Sequence, residues 1–315
     1  MHRQQPGTAI SGLLRNDQLL MSLTNNRLVV KTGMSRKFRY VLSHLFFLAI
    51  VVACAAQVQA QMPAKTASQR LVLTGSSTLA PLAGEIARRF ESFHPGVRIN
   101  VQTGGSSRGI HDVRKGIAVI GLVSRALKAD EADLQAFTIA QDGISLIVHS
   151  GNPVTALNRK QIADIYTGRI THWNAVGGAD ARIAVVNKAE GRSTLELFLG
   201  YLQLKNSEIK PHIIIGDNAQ AIKTVTGNPH AIGYVSIGAA EYEARRGAPV
   251  RLLSLDGIAA SAENVRQGIF PLSRPLNLVT VGEPQGLARR FIEFARSPQV
   301  HDLVRAQYFV PVNAD

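Results

Sequence analysis

The chain has 315 residues, 45% of them apolar and 6% aromatic, a globular composition with enough length for one large domain or two ordinary ones. Its net charge of +13 is front-loaded: residues 1–60 hold Arg3, Arg15, Arg27, Lys31, Arg36, Lys37 and Arg39 against Asp17 alone, leaving 28 basic and 21 acidic residues beyond them. Those 28 stand singly or in pairs such as Arg88-Arg89, Arg245-Arg246 and Arg289-Arg290, without interleaved aromatics, so no nucleic-acid partner is expected.

The first organised segment is 34–60. Basic Arg36, Lys37 and Arg39 precede an apolar run over 41–56 and a small-residue end, Val58-Gln59-Ala60. This reads as a secretory signal peptide that starts at Met34 and is cleaved after Ala60, with residues 1–33 as an N-terminal extension. Cys54, the sole cysteine, lies inside it, so the mature protein would carry no disulfide or thiolate ligand. Export without disulfides points to the periplasm of a bacterial envelope. Val51-Val52-Ala53-Cys54 also resembles a lipobox, which would instead anchor a lipoprotein through Cys54.

After a polar linker, 61–69, strands alternate with helices. A strand at 71–73 leads to a helix whose Leu79, Leu82, Ile86, Phe90 and Phe93 fall on one face, stopped by His94-Pro95-Gly96. A strand at 97–101, a short helix at 110–115 and a buried strand at 117–123 follow. The next block has strands at 144–149, 183–186, 211–215, 231–235, 250–253 and 276–281, and helices at 159–166 and 194–204. Leu287, Phe291, Phe294 and Leu303 mark a helical end. Alternation of this kind predicts mostly parallel sheets, here in two lobes with a cleft between them: 70–147 with 251–315, and 148–250.

Three strand-to-helix turns share a chemistry: Thr74-Gly75-Ser76-Ser77-Thr78, Thr103-Gly104-Gly105-Ser106-Ser107 and Gly191-Arg192-Ser193-Thr194. Each sets glycine and hydroxyls at a helix start, where free N–H groups and the helix dipole favour an anion. Parallel sheets gather such turns at the carboxyl ends of their strands. Lys188 and Arg192 flank the third turn and would add charge.

With these turns in place, the chain resembles the substrate-binding proteins of bacterial phosphate ABC transporters, in the periplasmic binding-protein superfamily. The resemblance rests on GSSTLAPL (75–82), GGSSRGI (104–110), IGLVSRALKADE (120–131), QDGISLIVHSGNPV (141–154), LNRKQIADIYTGRITHWNAVGG (157–178), EGRSTLELF (190–198) and AIGYVSI (231–237). It implies a two-lobe α/β fold, each lobe a mostly parallel sheet flanked by helices with hinge strands between them. It also implies a monomer without catalysis or cofactor, which captures phosphate or a similar tetrahedral oxyanion and presents it to a membrane permease. Ligand contacts would fall on Ser77, Thr78 and the Leu79 backbone, on Ser106 and Ser107, on Ser124, and on Lys188, Arg192, Ser193 and Thr194. In the last segment this chain leaves the family pattern: Lys188 stands where the family has arginine, Arg192 where it has serine and Ser193 where it has glycine. A lysine lacks arginine's planar fork. Ser124 can donate or accept where some relatives keep an aspartate for the proton of hydrogen phosphate, which leaves other oxyanions open.

Two rival readings use the same residues. Gly105-Ser106-Ser107-Arg108-Gly109 fits the G-x-S-x-G elbow of a serine hydrolase, with Ser107 as nucleophile and Asp217 and His230 completing the order. An anion sensor without a transport role would need the same binding residues. The histidines are scattered, with no metal-ligand spacing. Trp173 is expected in the core, and Arg108 and Arg125 as structural or rim residues.

Overall fold

The computed structural model describes residues 69–312, together with positions 37, 40 and 44. The leader expected over 34–60, its cleavage point and the lipobox at 51–54 otherwise lie outside the described residues, as does the linker up to position 68. The chain divides into two units, Met1–Lys65 and Thr66–Asp315, and the strands and helices of the fold belong to the second.

The first part of that unit runs β1 (Gln69–Gly75), α1 (Ala80–Phe93), β2 (Val97–Thr103), α2 (Ser106–Arg114) and β3 (Ile120–Val123). β1 pairs in parallel with both β2 and β3. α1 forms because Leu82, Ile86 and Phe90 recur on one face and are sealed against the sheet. Phe93, expected on that face, is 62% exposed and packs edge-on with Phe294. The strand expected over 117–123 is shorter than predicted: the Ile117 and Ala118 N–H groups cap α2 through Asp112 O, leaving Ile117 and Val119 exposed.

β4 (Leu134–His149) then runs sixteen residues and serves both halves of the molecule. The second half of the fold comprises β5 (Ala156–Leu157), α3 (Arg159–Tyr166), β6 (Ala184–Lys188), α4 (Ser193–Leu202) and β7 (Ile213–Ile215), followed by α5 (Asn218–Gly227), β8 (Ala231–Ser236), α6 (Ile237–Arg245), β9 (Val250–Leu252), β10 (Ser254–Leu255) and α7 (Ala262–Arg266). β11 (Ser273–Val281) returns, and α8 (Gly286–Ala295), α9 (His301–Ala306) and β12 (Val310–Pro311) finish the chain. The strand order is β2-β1-β3-β11-β4-β8-β6-β7, with β9 and β12 also on β4 and a separate β5–β10 pair. Parallel sets, β2-β1-β3 and β8-β6-β7, flank the antiparallel β11 and β4.

Two main apolar cores divide at β4 and β11. Leu73, Leu82, Phe90, Ile120, Ala140, Leu276 and Phe291 belong to the first; Ile144, Tyr166, Trp173, Phe198, Tyr234, Leu253, Phe270 and Leu272 belong to the second. Residues 251–272, expected with the first lobe, therefore pack with the second, because β9 pairs with the far end of β4 through Ile147 and Leu252. The chain crosses between cores at Gly143, where a Cβ would lie 2.5 Å from Ile237 Cδ1 and would push that side chain aside.

Candidate functional site

The turns after β1, β2, β3 and β6 all leave the carboxyl ends of parallel strands, and their hydroxyls converge. Ser76 Oγ donates to Ser124 Oγ at 2.9 Å and accepts from the Thr78 and Leu79 N–H groups at 3.2 and 3.3 Å. Ser106 Oγ accepts from the Ser124 N–H at 3.1 Å and meets Ser193 Oγ from the opposite half. Thr78 Oγ1 accepts from Asn218 Nδ2 at 3.0 Å, a second link between halves. Gly105 shapes this contact: its φ is 97°, and a Cβ there would lie 2.5 Å from Gly191 O.

At the centre is Arg274, 1% exposed, which the sequence reading did not single out. It stands directly across from Asp142 in the β4–β11 register. Its Nε and Nη2 donate to Asp142 Oδ2 at 3.1 and 2.8 Å. Nη1 reaches Thr194 Oγ1 at 3.0 Å and Ser124 Oγ at 3.4 Å, and Nη2 reaches Thr78 Oγ1 at 3.2 Å. All five guanidinium donors are thus committed, to a carboxylate and to hydroxyls from both halves. Asp142 Oδ1 accepts from the Gly238 N–H at 3.3 Å. The available signal was an arginine before proline among apolar residues, Pro271-Leu272-Ser273-Arg274-Pro275-Leu276, with Asp142 equally isolated in Gln141-Asp142-Gly143-Ile144.

Lys188 ends β6 and is 3% exposed. Its Nζ donates to Asp217 O at 3.1 Å and Asn218 Oδ1 at 3.2 Å, both uncharged acceptors. Tyr234 holds the backbone in place, accepting the Lys188 N–H at 3.3 Å while donating to Asn187 Oδ1 at 2.6 Å. Burial first, and then the charge of Arg274, lower the Lys188 ammonium from its ordinary 10.5 to about 7. A permanently charged guanidinium and a lysine that sheds its proton near neutral pH thus face the Asp142 carboxylate.

The remaining expected residues divide. Ser193 and Thr194 open α4 with their hydroxyls in the cluster, after an extended N-cap at Arg192. Arg192 is half-buried, lies beside Gly216 and hydrogen-bonds none of the clustered hydroxyls; its Nε is buried without a partner among the described residues. Leu79 places its side chain in the first core. Ser77 lines a cleft of about 980 Å³ between α1 and α5, beside the cluster. Ser107 donates its N–H to Gly191 O and its Oγ to Glu196 Oε1 at 3.4 Å. Asp217 caps α5 through Gln220, and the His230 carbonyl accepts the Trp173 indole N–H, so the hydrolase residues serve separate structural purposes. Arg125 is 4% exposed, buried rather than on the rim.

A cluster of hydroxyl donors with surplus buried positive charge suits an oxyanion. Comparison with known proteins agrees with that chemistry. The PBP superfamily domain matches residues 60–299. The phosphate-binding protein PstS of Bacillus subtilis is 29% identical over 251 residues, 78% of this chain and 82% of that one. A solved Clostridium perfringens protein, assigned as a phosphate ABC transporter substrate-binding protein and carrying bound phosphate, is 34% identical with a TM-score of 0.72, covering 78% of this chain and all of the other. An ABC-type phosphate transport receptor from Vibrio cholerae is 28% identical with a TM-score of 0.62, covering 77% and 99%.

Proposed function

The chain belongs to the PBP superfamily, among the substrate-binding proteins of phosphate ABC transporters, and we propose that it is an exported monomer that closes over inorganic phosphate and delivers it to an importer permease. The observation that carries this reading is the charge balance of the site. Arg274 and Lys188 are both buried, Asp142 neutralises one of them, and hydroxyls surround the pair. Burying a cation without a counter-charge is costly, and a tetrahedral anion between the two halves removes that cost.

Thr78, Ser106, Ser124, Ser193 and Thr194 are the first contacts, with the Arg274 guanidinium and the Lys188 ammonium supplying charge. The hydroxyls satisfy one another across the cleft and can rotate to donate to oxygen atoms of the anion. Arg274 adds its charge from β11 through the hydroxyls of Thr78, Ser124 and Thr194, to which its Nη donors are bonded. The N-terminus of α4 adds the Ser193 and Thr194 N–H groups and its dipole. Closure follows from differential contact: the anion is held from both sides only when the halves meet.

Three of the four acceptor positions of the Asp142 carboxylate are taken, two by Arg274 and one by the Gly238 N–H, so it is bound into the fold rather than kept as a dedicated acceptor for the proton of hydrogen phosphate. Hydroxyls that donate or accept tolerate protonated and fully ionised anions alike. Discrimination of phosphate from sulfate is therefore expected to stay within about a hundredfold, far below that of a site with a dedicated acceptor.

Thermal unfolding of ligand-stripped protein tests the assignment. Phosphate at a hundred times its Kd should stabilise the protein by about 2.7 kcal/mol, with arsenate and sulfate following and a carboxylate control giving nothing. An unchanged Tm with every oxyanion would contradict it. Covalent labelling of Ser107 by a fluorophosphonate would favour the hydrolase reading instead.

A further inference from the structure

Glu196 lies on α4, one turn beyond the hydroxyls of Ser193 and Thr194, and it faces the opposite half of the molecule. Its Oε2 is 2.7 Å from Lys128 Nζ and 3.1 Å from Arg125 Nε, and its Oε1 accepts from Ser107 Oγ at 3.4 Å. The receiving side is already arranged. Glu131 grips Arg125 with two hydrogen bonds, at 2.7 and 2.8 Å, and takes the Lys128 N–H at 2.8 Å. This leaves Arg125 Nε aimed across the cleft. The approach to Glu196 is Coulombic, since neither Arg125 Nε nor Glu196 Oε2 has a partner in hydrogen-bond geometry.

We propose that Glu196 is a positioning residue that latches the two halves together by its charge, without contacting the anion itself. The inference rests on the oxyanion reading for its purpose and on these contacts alone for its existence. Arg125, Lys128 and Ser107 belong to the first half and Glu196 to the second, so every one of these contacts is made on closure and broken on opening. The Arg125 and Glu131 side chains are 5% and 7% exposed and Glu196 is 26% exposed, so the Arg125 arm is shielded from salt. The Lys128 arm, with that side chain 51% exposed, is screened more readily. A latch outside the ligand shell holds a closed fraction even before the anion arrives, and it slows release far more than capture, because encounter uses the open fraction.

The test uses the full chain with Cys54→Ser and spin labels on Arg88→Cys and Lys223→Cys, which line the cleft from α1 and α5. Adding Glu196→Gln should lengthen and broaden the inter-label distances both without and with inorganic phosphate. In the unlabelled protein the same substitution should speed phosphate release roughly tenfold while association changes less than about threefold. Lys128→Met should give a smaller effect that vanishes at high salt. Arg125 stays paired with Glu131 in either variant, so the fold is not at stake. Distances and release rates indistinguishable from those of the parent would overturn the latch. If phosphate leaves the parent's distances unchanged, the oxyanion reading fails on its own, and the ligand-free comparison of parent and Glu196→Gln still decides the latch.

Discussion

Asp142 and Arg274 are sealed from water, 2% and 1% exposed, and each satisfies the other. Removing one partner leaves an uncompensated buried charge, so Arg274→Met should destabilise the fold by about 3–5 kcal/mol in urea denaturation. Asp142→Asn in the same chain removes the stranded charge and keeps an acceptor for Gly238, so the double variant should regain most of that loss. Lys188 makes a separate prediction. Its folded pKa is depressed to about 7, so the stability due to its neutral form is full above 10.5 and is lost as pH falls toward 7. A bound anion favours the ammonium, so binding between those values takes up a proton. Calorimetry at about pH 8.5 in buffers of different ionisation enthalpy should show uptake approaching one proton, and none for Lys188→Met. The hydroxyl residues and Lys188 were legible in the sequence because turn chemistry is local. Arg274 and Asp142 were not, since they lie 132 residues apart and meet only through strand register.

Among the elements, α1 and α3 announced themselves through apolar spacing and clear stops. The first half of β4 did not, because Gln135, Thr138 and Gln141 interrupt its apolar pattern and its pairing with β11 is distant in sequence. α6 was hidden for another reason: Ser236 is both the last residue of β8 and the N-cap of the helix, so no turn separates them. The turn at Gly105 carries the prediction at this scale. Alanine there is strained at a φ of 97° and pushes against Gly191 O, a contact between halves. Gly105→Ala should therefore cost about 1 kcal/mol of stability and weaken anion binding by more than that alone explains, roughly tenfold, measured by titration beside denaturation. Equal affinity would show that the turn tolerates closure without glycine.

At the scale of the whole molecule, the two cores share β4 and β11, and the site's arginine and its carboxylate sit on those two strands at the crossing. Charge is therefore placed where the two cores meet, and hydroxyls reach it from both sides. The two-lobe plan was readable from the alternation of strands and helices. The place where the chain returns to the first core was not, because residues 251–272 look like neighbours of the returning strand and yet pack with the second core. The most direct test of the central claim, that a hinge-borne Arg274 and a buried Lys188 hold a tetrahedral oxyanion, is isothermal titration of inorganic phosphate into ligand-stripped parent and Arg274→Met proteins. One saturable site in the parent, weakened at least about a hundredfold in the variant, is the predicted result. Equal affinity in the two proteins, or no binding by folded parent, would contradict it.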